Sequence, residues 1–120
     1  MLYTSGSRAL CLTEIAVHIP FGIIPKDFIL TSIEIPHDIL IDEIKEENLP
    51  ENWRVFPHPV LPQKVGTTFL KNETFLVLKV PSAVVQGEFN YLINPNHKDI
   101  GRIKIVEAES FYFDERLFRK

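Results

Sequence analysis

Few side chains in this sequence combine a reactive type with a telling position. Glu14 is the first, because it falls inside Arg8–His18, where Ala9, Leu10, Cys11, Ile15, Ala16 and Val17 form a broad apolar face at helical spacing. A carboxylate beside such a face is costly to desolvate unless it has a partner or lines a cavity. The alternative is a glutamate that merely faces solvent. Tyr3 precedes it by a turn and part of that helix. Ser82 lies in Val80-Pro81-Ser82-Ala83-Val84-Val85, and from residue types alone it reads as a turn or capping serine. Asn94-Pro95-Asn96-His97 likewise reads as a turn.

Other chemistries lack their parts. His18, His37, His58 and His97 do not fall at paired ligand spacing, and Cys11 has no cysteine near it, so no metal site is expected. Cys11 also sits on the helix face expected to be core, which argues against a thiol nucleophile. Gly6, Gly22, Gly66, Gly87 and Gly101 are scattered, which leaves neither a phosphate loop nor a dinucleotide fingerprint.

The elements that must position these groups are short. Leu2-Tyr3-Thr4 is β-prone, Ser5-Gly6 turns, and Ser7 caps the helix Arg8–His18. Phe28–Ile35 alternates as a strand. Residues 38–51 are acidic with interleaved isoleucines, a solvated face on a short strand or helix that ends at Leu49-Pro50. Pro57, Pro59 and Pro62 make a connection, and Gln63–Leu70 is a short helix. Thr74–Val80 is a buried strand. Ala83-Val84-Val85, Tyr91-Leu92-Ile93, Ile103–Val106 and Phe111–Phe113 are further β-like runs. The expected class is α+β, one domain over 1–120, a small mixed sheet with short helices.

Bulk properties bound the function. With 120 residues, 45% of them hydrophobic, the chain can bury a core without disulfides or metal. Its net charge of −3, and no basic cluster beyond the terminal Arg116, Arg119 and Lys120, argue against direct nucleic-acid binding. The lone Cys11 suits a reducing compartment. No apolar stretch approaches the roughly 18–20 residues of a membrane span, and no secretory signal opens the chain. The expected location is cytoplasmic.

Lys79-Val80-Pro81-Ser82, followed by Asn90-Tyr91-Leu92-Ile93-Asn94-Pro95-Asn96-His97, resembles the C-terminal signature of the RES (Arg-Glu-Ser) domain family of bacterial toxins. Tyr3-Thr4-Ser5 with Ser7-Arg8-Ala9-Leu10 leading to Glu14, Leu49-Pro50-Glu51-Asn52-Trp53, and Phe113-Asp114-Glu115-Arg116-Leu117 resemble it in the same order. The resemblance implies a fold like that of ADP-ribosyltransferase toxins and an enzyme that degrades NAD⁺. That enzyme would be a glycohydrolase, or a phosphorylase with inorganic phosphate as co-substrate. NAD⁺ would be the substrate, with no separate cofactor, and the partner a helix-turn-helix antitoxin.

By position, Glu14 matches the signature glutamate and would be catalytic. Ser82 matches the signature serine and Tyr3 a tyrosine of the NAD⁺ pocket, both binding substrate. The signature arginine has no match, since in the family it lies upstream, ahead of a Gly-Arg-Trp-like segment, and Arg8 belongs to another motif. The domain is therefore expected to be N-terminally truncated, with apolar surface exposed near Leu2 that favours self-association or partner binding. The competing expectation is an impaired remnant that acts as an antitoxin-binding module. If the matches carry over, Tyr3, Glu14 and Ser82 converge on one cleft.

Overall fold

The computed structural model describes residues 1–20, 23, 26–49, 51, 53–54 and 63–118. Gly22, Pro50, Asn52, Pro57, His58, Pro59, Pro62, Arg119 and Lys120, named above, lie outside the described residues.

Strand β1 (Leu2–Ser5) leads into helix α1 (Arg8–His18), whose bounds are those the sequence implies. Ser7 is extended, and its hydroxyl accepts the Leu10 N–H at 3.1 Å, satisfying one of the free donors of the first turn. Ile19 ends the helix in an extended conformation, as a residue before proline prefers. The remaining elements are β2 (Phe28–Glu34), β3 (Ile41–Glu43), α2 (Gln63–Asn72), β4 (Val77–Pro81), β5 (Phe89–Ile93) and β6 (Lys104–Phe111). Short 3-10 turns occur at Glu46–Asn48, Ile100–Arg102 and Glu115–Leu117.

The strands form a four-stranded sheet in the order β1-β5-β4-β3 and a separate ribbon of β2 and β6. Within the larger sheet β3 runs parallel to β4 and the other pairs are antiparallel, so the sheet is mixed and the fold is α+β. β4 is apolar apart from the half-buried Lys79, because both of its faces are covered. Leu78, Val80 and Leu92 pack with Phe69 of α2 on one face. Val77 and Ile93 pack with Ile39 and Leu76 on the other.

The β2–β6 ribbon is antiparallel with a register shift between Ser32 and Ile33. α1 shares a small hollow with it, lined by Cys11, Leu12 and Ile15 of the helix and by Phe28, Leu30 and Phe111 of the strands. Arg8 ties the helix to β6 through Glu109 at 2.6 Å and Glu107 at 3.8 Å, which accounts for this arginine structurally. Phe113 sits edge-on to Phe28, Phe111 and Phe118, closing one end of the ribbon.

Two sequence expectations fail. Ala83-Val84-Val85 is a turn, because the Ser82 hydroxyl takes the N–H groups of both Val84 and Val85, which a strand would need for its ladder. Residues 104–111 form one continuous strand where two short runs were expected, since β2 offers a full-length partner. β1 is an edge of the larger sheet, with Leu2 51% and Tyr3 73% exposed.

Position in this frame decides what a truncation costs. Leu92→Ala, in the two-faced centre, is expected to lose about 2–5 kcal/mol of unfolding free energy. Ile105→Ala, on the open ribbon, should lose less than about 1 kcal/mol. Urea denaturation followed by circular dichroism checks both, and equal losses would contradict this assignment of core and surface.

Candidate functional site

Glu14 is where α1 meets the turn that follows β4. The Ser82 hydroxyl donates to Glu14 Oε1 at 2.7 Å, and the Asn90 amide Nδ2 donates to the same oxygen at 2.8 Å. The two donors reach one carboxylate because of the ladder. Val80 lies opposite Asn90, so Ser82, two residues beyond Val80, returns to the face that Asn90 occupies. Ser5 is paired with Asn90 on the other side, and its hydroxyl donates to Asn90 Oδ1 at 2.9 Å. That bond decides which end of the amide turns to Glu14, since the oxygen is already taken.

Ser82 is held just as firmly. Its hydroxyl accepts the Val84 and Val85 N–H groups at 3.1 and 3.0 Å, and its own N–H donates to the Glu88 carbonyl at 2.8 Å. Gly87, at φ +86°, supplies the left-handed residue that lets the chain double back to Glu88. On the opposite side, the Gly6 N–H donates to the Phe89 carbonyl at 3.2 Å, and an added Cβ there would come within 3.3 Å of that oxygen. The close approach seats the start of α1 against β5.

The result is a half-buried carboxylate with one oxygen fixed by two donors. Among the described residues Glu14 Oε2 makes no hydrogen bond, and it is not sealed from solvent. Charge-assisted bonds to Oε1 hold the negative charge in place and orient the second oxygen outward. The arrangement can stabilise developing positive charge or hold a hydroxyl donor.

Of the three expected site residues, Glu14 and Ser82 are joined directly. Ser82 is fully buried, and its hydroxyl bonds Glu14 and the two amides. Tyr3 alternates with Ser5 on β1 and so shares the face of Ser5 and Asn90, but its ring is exposed and makes no hydrogen bond to either partner. Sequence reasoning missed Asn90 and Ser5. The signal was available, since a buried asparagine at a strand position must have found partners.

A cavity of about 370 Å³ lies elsewhere, lined by Asp38, Ile39, Leu76, His97, Asp99 and Arg102 among others. Ile39 and Leu76 belong to the opposite face of the sheet. His97 there is a packing residue: its Nδ1 accepts the Asp99 N–H at 3.0 Å and its Nε2 faces the Thr74 carbonyl at 3.4 Å. Among the described residues no three His, Cys, Asp or Glu side chains are grouped as metal ligands, and no helix is long and apolar enough to cross a membrane.

Comparison with known proteins bears on this geometry. A family model described as the RES domain matches residues 1–114. A protein called Toxin Res from Yersinia enterocolitica is 38% identical over 117 residues, covering 97% of this chain and 76% of that protein. One called Prs ADP-ribosylating toxin, from a Sphingobium species, is 33% identical over 122 residues, covering 100% of this chain and 76% of its own length. A Toxin Res from Pseudomonas putida is 34% identical over 125 residues, covering 98% and 79%.

Cys11, one turn before Glu14 on α1, offers a reporter of the carboxylate's charge. Burial pushes its thiol up from the ordinary value, and the Glu14 charge adds to the shift. A raised thiol is less ionised at a given pH, so alkylation of Cys11 by iodoacetamide at mildly alkaline pH should be slower in the folded protein than in urea. Glu14→Gln removes the smaller of the two causes and should quicken the folded-state reaction without reaching the unfolded rate. An unchanged rate would mean that no charge at Glu14 reaches Cys11.

Proposed function

The chain belongs to the RES domain family, and from that premise we propose that it is a toxin-like enzyme that breaks the nicotinamide–ribose bond of NAD⁺. The observation that carries the reading is the Glu14 carboxylate, held through Oε1 by Ser82 and Asn90, with Oε2 making no hydrogen bond among the described residues. The ADP-ribosylating name of one relative supports the same bond, because transfer of ADP-ribose also begins by cleaving it.

In this reading the C–N bond breaks with its electron pair going to the pyridinium ring, and nicotinamide leaves neutral. Positive charge passes to the ribosyl carbon and ring oxygen, a state that resembles the oxocarbenium ion of glycoside cleavage. Glu14 stabilises that charge through Oε2 or holds a ribose hydroxyl. Ser82 and Asn90 act on the carboxylate: by fixing Oε1 they spare it reorganisation as the charge develops. Tyr3, exposed on the same face, supplies a ring for nicotinamide or ribose to lie against. Water, inorganic phosphate or a protein side chain then captures the sugar, losing a proton as the new bond forms. A helix-turn-helix antitoxin as partner, and action in the cytoplasm where NAD⁺ is abundant, belong to the same proposal.

Purified protein incubated with NAD⁺ should release nicotinamide. Glu14→Gln keeps size and polarity but removes the charge, and turnover should fall on the order of 10²–10³-fold, as when a preorganised electrostatic group is lost. The products formed with and without phosphate, and with added protein acceptors, identify the acceptor. Turnover by Glu14→Gln equal to the unaltered protein would refute the mechanism.

A further inference from the structure

We propose that Arg54 is a positioning residue for this site, gripping the backbone of Ser82 so that the serine hydroxyl stays on Glu14. The inference rests on the reading of Glu14 as the central carboxylate. Arg54 Nη1 donates to the Ser82 carbonyl at 3.2 Å. Its Nε and Nη2 donate to Glu46 Oε1 at 3.2 and 2.9 Å, and its guanidinium carbon stands 4.4 Å from the centroid of the Trp53 ring. Trp53 is itself buried at 7% exposure, so the guanidinium lies on a fixed plate with its fork tied to a carboxylate.

The contact matters because of what else holds the turn. The bonds Ser82 N–H to the Glu88 carbonyl, and Glu88 N–H to the Val85 carbonyl, are internal to residues 82–88 and move with them. The Val84 and Val85 bonds to the Ser82 hydroxyl are internal as well. Arg54 brings a bond from a distant stretch of chain to the one backbone carbonyl next to the functional hydroxyl. Ser82 is fully buried, so among the described residues its carbonyl would be left without a partner if the guanidinium went. Rotation of that peptide to find another donor would carry the hydroxyl off Oε1. Arg54 does not touch Glu14, and its charge is matched by Glu46, so its effect on the carboxylate is geometric.

The test combines amide exchange with kinetics on the full chain. In Arg54→Met, the Val84 and Val85 amides should lose protection by about tenfold, the worth of a typical hydrogen bond, while Leu78 and Leu92 in the sheet keep theirs. For NAD⁺ cleavage, kcat should fall about tenfold with KM changed less than about twofold, since the interaction is spent on the transition state. Arg54→Lys, which can reach the carbonyl but cannot fork onto Glu46, should recover part of both. In a Ser82→Ala background, Arg54→Met should bring no further loss of kcat, because the hydroxyl it positions is gone.

Unchanged protection of Val84 and Val85 in Arg54→Met would overturn the proposal. So would equal, additive losses of kcat in the two backgrounds, which mark a general structural role. If Arg54→Met loses sheet protection as well, Arg54→Lys decides by the same two amides. Should the unaltered protein leave NAD⁺ intact, the enzymatic reading falls, and the exchange measurements still decide what Arg54 holds.

Discussion

A carboxylate placed at the junction of a helix and a sheet has to be solvated by something, and here the protein does it with two hydrogen bonds to one oxygen. Glu14 Oε1 receives Ser82 and Asn90, so a single atom joins α1 to the end of β4 and to β5. Each donor is fixed in turn, Asn90 by Ser5 across the β1–β5 pair and Ser82 by the amides of its own turn. Losing either donor would leave the carboxylate part-buried and poorly paired, a cost of about 1–3 kcal/mol for such a group. The Ser7 cap and the Gly6–Phe89 contact set where α1 starts, and hence where its seventh residue, Glu14, arrives.

The site stands at the rim of the core and shares its framework. Leu78, Val80 and Leu92 bury the same face of the sheet from which Asn90 and Ser5 project. The apolar part of that face fixes the strands, and the ladder register then fixes the polar part, because residues two apart look the same way. α1 is secured at its far side by Arg8 on the β6 glutamates. A helix pinned at both flanks can present a carboxylate at a fixed depth, which a surface glutamate on a mobile helix could not. The 370 Å³ cavity on the opposite face, by contrast, is bordered by side chains already paired with one another, such as Arg102 with Asp38.

Much of the fold was legible in the chain. The helix from Arg8 to His18 follows from the cap at Ser7, the apolar spacing and Pro20, all local features. The apolar run at Phe75-Leu76-Val77-Leu78 marks a doubly covered strand, although β4 begins only at Val77. The misreading of Ala83–Val85 has a clear cause: β-branched residues suggest a strand, but a serine hydroxyl two and three residues before the valines had claimed their amides. The split of residues 103–113 into two runs erred because Glu107 and Glu109 break the apolar pattern, and Arg8 accounts for both.

At the site, the sequence by itself determined the identities and the order: a glutamate in a capped helix, a serine after a buried strand, and motifs resembling one family along the whole chain. Residue types near one another in sequence also made local turns and caps predictable, since those bonds span only a few positions. What the tertiary structure decided is which atoms meet. Glu14 and Ser82 are 68 residues apart, and Glu14 and Asn90 are 76 apart, so their bonds depend on strand order and register. The same holds for the burial of Ser82, whose hydroxyl bonds the Glu14 carboxylate and the amides of its own turn. Spacing along a chain carries the period of a helix or strand, but the pairing of β1 with β5 is settled only when the apolar faces of the whole sheet are buried together.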